Sequence, residues 1–96
     1  MATLTDAEVE QRLADFPQWH RAAGSSPSIA RDFALANFVE AIAFVNRVAD
    51  AAELANHHPD ILLHGWNKVR LTLSTHSAGG LTDADFQLAA QIDHLA

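Results

Sequence analysis

The sequence predicts one α+β domain with the element order α-β-β-α-β-β-α, and three observations carry that prediction. Two capping boxes and an Asn cap each open an amphipathic run, which marks three helices. The alternation of Val69, Leu71, Leu73 and Thr75 with Arg70, Thr72, Ser74 and His76 marks a half-buried strand. Turn residues at Gly24-Ser25-Ser26-Pro27 and at Trp66-Asn67 each separate two strand-like segments. Antiparallel hairpins interleaved with helices place the helices on one face of the sheet. The chain of 96 residues has room for one core, so residues 1–96 are expected to form a single domain.

The first helix is predicted over Asp6–Asp15. Thr5 and Glu8 form its capping box, Leu4 and Val9 its hydrophobic staple, and Val9, Leu13 and Phe16 its apolar face; Pro17 ends it. Two strand segments follow, Gln18 to Ala22 and Ser28 to Phe33. The longest helix begins at Asn37 with Glu40 three residues on. Phe38, Ile42, Val45, Ala49 and Ala52 give it an apolar stripe. It must stop by Asn56 or His57, because Pro59 drives His58 out of the helical region. Ile61 to Trp66 is the expected hairpin partner of the 69–76 strand. The last helix opens at the Thr82–Asp85 box, with Leu81 and Phe86 as its staple, and runs through Ala89, Ala90, Ile92 and Leu95.

Composition excludes several functions. With 49% apolar and 19% charged residues the chain is globular rather than disordered. Twelve acidic against six basic residues, net charge −6, argue against a binder of nucleic-acid phosphates. No apolar run approaches the roughly 18 residues that span a bilayer, and the acidic N-terminus has no signal-peptide pattern. A cytoplasmic location without membrane contact is therefore expected. Zero cysteines remove disulfides, thiolate metal sites and thiol catalysis.

Chemistry concentrates in the histidines, six in all. His57 and His58 are adjacent at the end of the long helix, and His76 ends the polar face of the best strand. Glu53 stands one helical turn before His57, and Asp85 opens the last helix. Taken singly, each has a plain explanation. A His suits the negative end of a helix dipole, Glu53 makes an ordinary helix pair, and Asp85 is a cap. His20, His64 and His94 are expected to be surface residues. Taken together, the turn after the long helix and the end of the 69–76 strand can meet at one edge of the sheet. Three imidazoles there would supply both acid and base near neutral pH. A metal site is not expected, because adjacent histidines rarely direct both rings at one ion and no HExxH spacing occurs. Ser74 and Thr75 lack the GxSxG elbow of a nucleophile, and Gly79-Gly80 lacks the sequence of a phosphate loop.

In order and spacing these residues resemble the pterin-4a-carbinolamine dehydratase family. The resemblance rests on Glu53-x-x-x-His57-His58-Pro59-Asp60, on Trp66-Asn67 with Val69, on Leu73-Ser74-Thr75-His76, and on Gly80-Leu81-Thr82-x-x-Asp85. Asn37-Phe38-x-Glu40-Ala41 and Phe44-Val45 of the long helix fit as well. The chain departs at Ile61, where many members carry an aromatic residue, and at Asn56, where some carry Asp.

The resemblance implies a four-stranded antiparallel sheet with three helices on one face, assembled as a homodimer or homotetramer. It implies a hydro-lyase that removes water from a 4a-hydroxytetrahydropterin to give quinonoid dihydropterin, recycling the pterin of aromatic amino acid hydroxylases. The pterin is the substrate, and no resident cofactor or metal is implied. His57, His58 and His76 match the family's catalytic histidines, with His58 and His76 as the main proton carriers and His57 orienting. Glu53 and Asp85 match supporting acids; these two, Pro59, Thr75, Ser77 and Ala78, together with the histidines, match substrate contacts. The alternative implied by relatives is a protein-binding, assembly or transcriptional-cofactor module, or a pterin-linked role in molybdopterin metabolism.

Overall fold

The protein is described by a computed structural model covering residues 2–24 and 26–96. Its elements are α1 (Asp6–Leu13), β1 (His20–Arg21), β2 (Ile29–Ala34), α2 (Phe38–Ala55), β3 (Asp60–His64), β4 (Lys68–Leu73) and α3 (Asp83–Leu95), with a 3-10 turn at His76–Ala78. The predicted α+β order is the observed one. Four antiparallel strands form one sheet in the order β1-β2-β4-β3, so β4 lies inside it and β3 is an edge. Ser25 of the predicted 24–27 turn lies outside the described residues.

Strand register sorts the side chains into two faces. Phe33 faces Val69 and Ile29 faces Leu73 across the β2–β4 ladder, and Leu63 faces Val69 across β3–β4. These residues pack with Ala41, Phe44 and Val48 of α2, Phe86, Leu88, Ala89 and Ile92 of α3, and Val9 of α1 in one apolar cluster. Burying an aromatic or branched side chain of this kind stabilises the fold by about 1.5–3 kcal/mol. The opposite face is polar: Asp32 sits across from Arg70, which grips it through two hydrogen bonds of 2.8 and 3.3 Å.

Local chemistry explains the helix ends. At α1, Thr5 accepts from the Glu8 amide at 3.1 Å while the Glu8 carboxylate accepts from the Thr5 amide at 2.8 Å. The helix stops at Leu13 rather than Asp15, because the amides of Asp15 and Phe16 bond three residues back and tighten the last turn. Asn37 caps α2 by accepting from the Glu40 amide at 2.8 Å. The other end of α2 is a Schellman-type stop: Asn56 adopts φ 49°, and the amides of Asn56 and His57 turn back to Glu53 and Ala52 carbonyls. Asn tolerates this left-handed conformation better than other non-glycine residues.

Three sequence expectations are corrected. The stripe of α2 that faces the sheet is Ala41, Phe44, Val48 and Ala52, whereas Phe38, Ile42 and Ala49 are exposed and Val45 is half-buried. The first turns of α2 are apolar on nearly every side, so periodicity admitted either face. The sheet selected the one that sets Phe44 against Phe33, with ring centroids 4.7 Å apart. The first strand shrinks to His20–Arg21, because Trp19 turns into the core and its Nε1–H donates to Asp93 at 2.8 Å. The last strand ends at Leu73. Thr75 and Gly80 bridge each other instead, and His76 opens a turn that Gly79 completes at φ 75°.

Two expectations follow for stability. Asn56→Val should cost about 1–2 kcal/mol in urea unfolding, the penalty of a β-branched residue in the left-handed region, whereas Asn56→Gly should be nearly neutral. The hydrogen bonds from Arg70 hold the Asp32 carboxyl below its ordinary value of 3.8. A lowered carboxylate adds stability that is complete above that value and lost as pH falls through the lowered one. Asp32→Asn should therefore reduce stability at neutral pH, and the difference from the unmodified protein should close in strong acid.

Candidate active site

Four chain segments meet at one end of the sheet: the end of α2, the approach to β3, the exit of β4 and the start of α3. The left-handed turn at Asn56 reverses the chain after α2 and delivers His57 to the first turn of α3. The Thr75–Gly80 bridge closes the loop that carries His76, Ser77 and Ala78 and leads into α3.

Asp85 is the hub. Its side chain has no exposed surface, yet every lone pair in use has a donor. His57 Nε2–H donates to Oδ1 at 2.6 Å. The Thr75 hydroxyl and the Thr82 amide both donate to Oδ2, at 2.8 and 2.9 Å. The Thr82 and Thr75 hydroxyl oxygens are 2.8 Å apart, and Thr82 Oγ1 accepts from the Ala84 amide at 3.3 Å. The carboxylate also lies in the first turn of α3, where the helix dipole favours negative charge. Asp85 is thus both the helix cap and the partner of His57.

This donor pattern sets the tautomer of His57. With the Nε2 proton committed to Asp85, the neutral ring carries a bare Nδ1. Among the described residues no buried side-chain nitrogen or oxygen lacks a partner, and Nδ1 has none, so it opens on solvent. The ring itself is only 13% exposed and is held in place.

His58 turns outward and pairs with Glu53. The sequence placed Glu53 one turn before His57 as its partner. The left-handed residue between them breaks the helical spacing, so Glu53 meets His58, five residues on, instead. His76 is exposed at the start of its turn, one residue past the Thr75 that bonds Asp85. His57 and His76 are therefore tied to the same carboxylate, one directly and one through its chain neighbour. Pro59 and Ala78 are half-buried and Ser77 is exposed. Asp85 has no exposed surface, and its oxygens are taken up by His57, Thr75 and Thr82. The Thr75 hydroxyl is likewise engaged within the network. His20, His64 and His94 are exposed as expected. Among the described residues no three His, Asp or Glu side chains are grouped to hold a metal ion.

Thr82 is the member of this constellation that sequence spacing did not mark for function. Its capping box was legible, but its contact with Thr75 closes a loop between the exit of β4 and the start of α3. A shallow cleft of about 350 Å³, lined by Asp32, Phe33, Ala34, His64, Lys68 and Arg70, lies at the opposite end of the sheet and shares none of these groups.

Comparison with known proteins shows the family. The family description "Pterin 4 alpha carbinolamine dehydratase" matches residues 2–95, and the chain belongs to that family. It is 53% identical over 95 residues to a protein of Acidobacterium capsulatum named "Putative pterin-4-alpha-carbinolamine dehydratase", covering 99% of each chain. It is 54% identical to a protein of the same name from Roseiflexus castenholzii, covering 98% of this chain and 97% of that one. A crystal structure described as a transcriptional coactivator/pterin dehydratase from Brucella melitensis superposes with TM-score 0.88 at 32% identity, covering 98% of both chains. A pterin dehydratase-like protein identified as a RuBisCO assembly factor in the alpha-carboxysome superposes with TM-score 0.68 at 29% identity. That match covers 82% of this chain and 89% of the other.

Removing the hub should be costly for the fold as well as the site. Asp85→Ala leaves the Thr75 hydroxyl, the Thr82 amide and the His57 ring without their acceptor. The expected loss is about 1–3 kcal/mol in chemical denaturation, the penalty of stranded buried donors. An unchanged midpoint would show that the network adds nothing to stability.

Proposed function

We propose that this protein is a cytoplasmic hydro-lyase that dehydrates a 4a-hydroxytetrahydropterin to quinonoid dihydropterin, recycling the pterin for aromatic amino acid hydroxylation. The observation that carries this reading is the buried Asp85 holding His57 with Nδ1 free, next to His58 and to the loop that bears His76.

The reaction breaks the C4a–O bond and forms the C4a=N5 double bond. One proton goes to the departing hydroxyl, which leaves as water, and one is withdrawn from N5. Only an acid, a base and a means of orienting the ring are needed. His58 and His76, both exposed, serve as the proton carriers, and His57, immobilised by Asp85, orients the substrate and shares its charge. Glu53 supports His58 by pairing with it. Pro59, Ser77 and Ala78 supply backbone and apolar contacts to the pterin ring.

Relatives described as a coactivator and as an assembly factor support a second reading, in which this fold serves as a protein-binding module. Phe38, Val39 and Ile42 on the outer side of α2, exposed by 51%, 73% and 41%, are the surface such a role would use. The family resemblance also implies self-assembly, and β3 is open along one edge. Sedimentation is expected to give at least twice the 10.4 kDa chain mass; a monomer would remove that part of the proposal.

The deciding measurement follows 4a-hydroxytetrahydropterin, generated in situ, at neutral pH. The intact protein should accelerate its decay, and His76→Ala should lower the rate by about 10²–10⁴-fold, the usual worth of a positioned acid or base. No acceleration by the intact protein would transfer the case to the binding-module reading.

A further inference from the structure

We infer that Thr82 is a positioning residue that, through Thr75, fixes the tautomer of His57. For its kinetic consequence this rests on the dehydratase reading; for its structural content it does not.

Thr82 and Asp85 are sealed from water, so each of their protons and lone pairs must find its partner within the protein. Thr82 has no exposed surface. Its hydroxyl oxygen accepts from the Ala84 amide, so its own proton needs an acceptor. Thr75 Oγ1, at 2.8 Å, is the one within reach among the described residues. With the Thr82 proton pointing at it, Thr75 can send its single proton only to Asp85 Oδ2. The Thr82 amide meets the same oxygen, which leaves Oδ1 for His57 Nε2–H. The order of donation is then Thr82 to Thr75 to Asp85, with His57 donating into the far side of the carboxylate.

Without the Thr82 hydroxyl the chain loses its direction. The Thr75 hydroxyl is free to rotate away from Asp85, the carboxylate loses a donor, and its plane is no longer fixed against the imidazole. His57 then samples the Nδ1–H form, which presents a proton where the site needs a lone pair. The titratable groups on the segments around His57 are Asp85 from α3, His58 and Glu53 from the end of α2, and His76 from the loop after β4. Among the described residues Asp85 alone hydrogen-bonds its ring.

The test is long-range ¹H–¹⁵N NMR of the histidine rings in the full chain, for the unmodified protein, Thr82→Ser, Thr82→Val and Thr75→Val. Neutral His57 should be entirely Nε2–H in the unmodified protein and in Thr82→Ser, which keeps the hydroxyl. Thr82→Val should show a mixture of tautomers. Thr75→Val, which leaves the α3 cap intact, should show it too and decides the matter if Thr82→Val fails to fold. In the dehydration assay Thr82→Val should lower kcat about tenfold with KM unchanged, and Thr82→Ser should restore it. An unaltered Nε2–H signal in either valine variant would overturn the inference even with an active enzyme. An inactive unmodified protein whose tautomer responds as stated would overturn the dehydratase reading and leave this one standing.

Discussion

A carboxylate with no access to water is costly unless every lone pair it uses meets a donor, and Asp85 meets that condition only where three chain segments converge. His57 comes from beyond α2, Thr75 from the exit of β4, and the Thr82 amide from the start of α3 itself. If any one of these segments moves away, a buried charge loses a partner. The network therefore ties these three segments together and holds the His57 ring in place. The same hydrogen bonds that cap a helix also set which nitrogen of an imidazole is bare.

The hydrophobic core makes that convergence possible. Val69, Leu71 and Leu73 send β4 through the middle of the sheet, with α2 and α3 packed over its inner face, so the exit of β4 emerges beneath the start of α3. The two ends of the sheet then differ in kind. One gathers buried, mutually satisfied groups around a histidine. The other exposes the Asp32–Arg70 pair beside His64 and Lys68, where water screens charge and little specificity is built. The outer side of α2 differs again, since Phe38, Val39 and Ile42 stay exposed there.

Most of the fold was legible because its signals are local. Thr5 with Glu8, Asn37 and Thr82 with Asp85 announce helices through bonds that span three residues, and the alternation of β4 reports a face directly. Errors arose where local pattern was degenerate or broken. Apolar residues surround the first turns of α2, so the facing strands chose among them. Asn56 enters the left-handed region, so the spacing from Glu53 to His57 ceased to mean a shared face. At the site, the histidines and Asp85 could be marked from their chemistry and order, whereas the hydrogen bonds of Thr75 to Asp85 and to Thr82 could not. A threonine at a cap satisfies its helix whether or not anything else touches it.

The sequence by itself determined the element order, the helix caps, the identity of the inward-facing strand residues and which titratable side chains stand at the end of α2, after β4 and at the start of α3. Each follows from interactions between residues a few positions apart or from periodicity along one element. Tertiary structure decided which face of α2 is buried, that His58 rather than His57 takes Glu53, and that Asp85 turns inward to His57, 28 positions away. Those outcomes depend on the geometry of packed elements, where a buried polar group accepts whichever partner the fold brings within 3 Å or so.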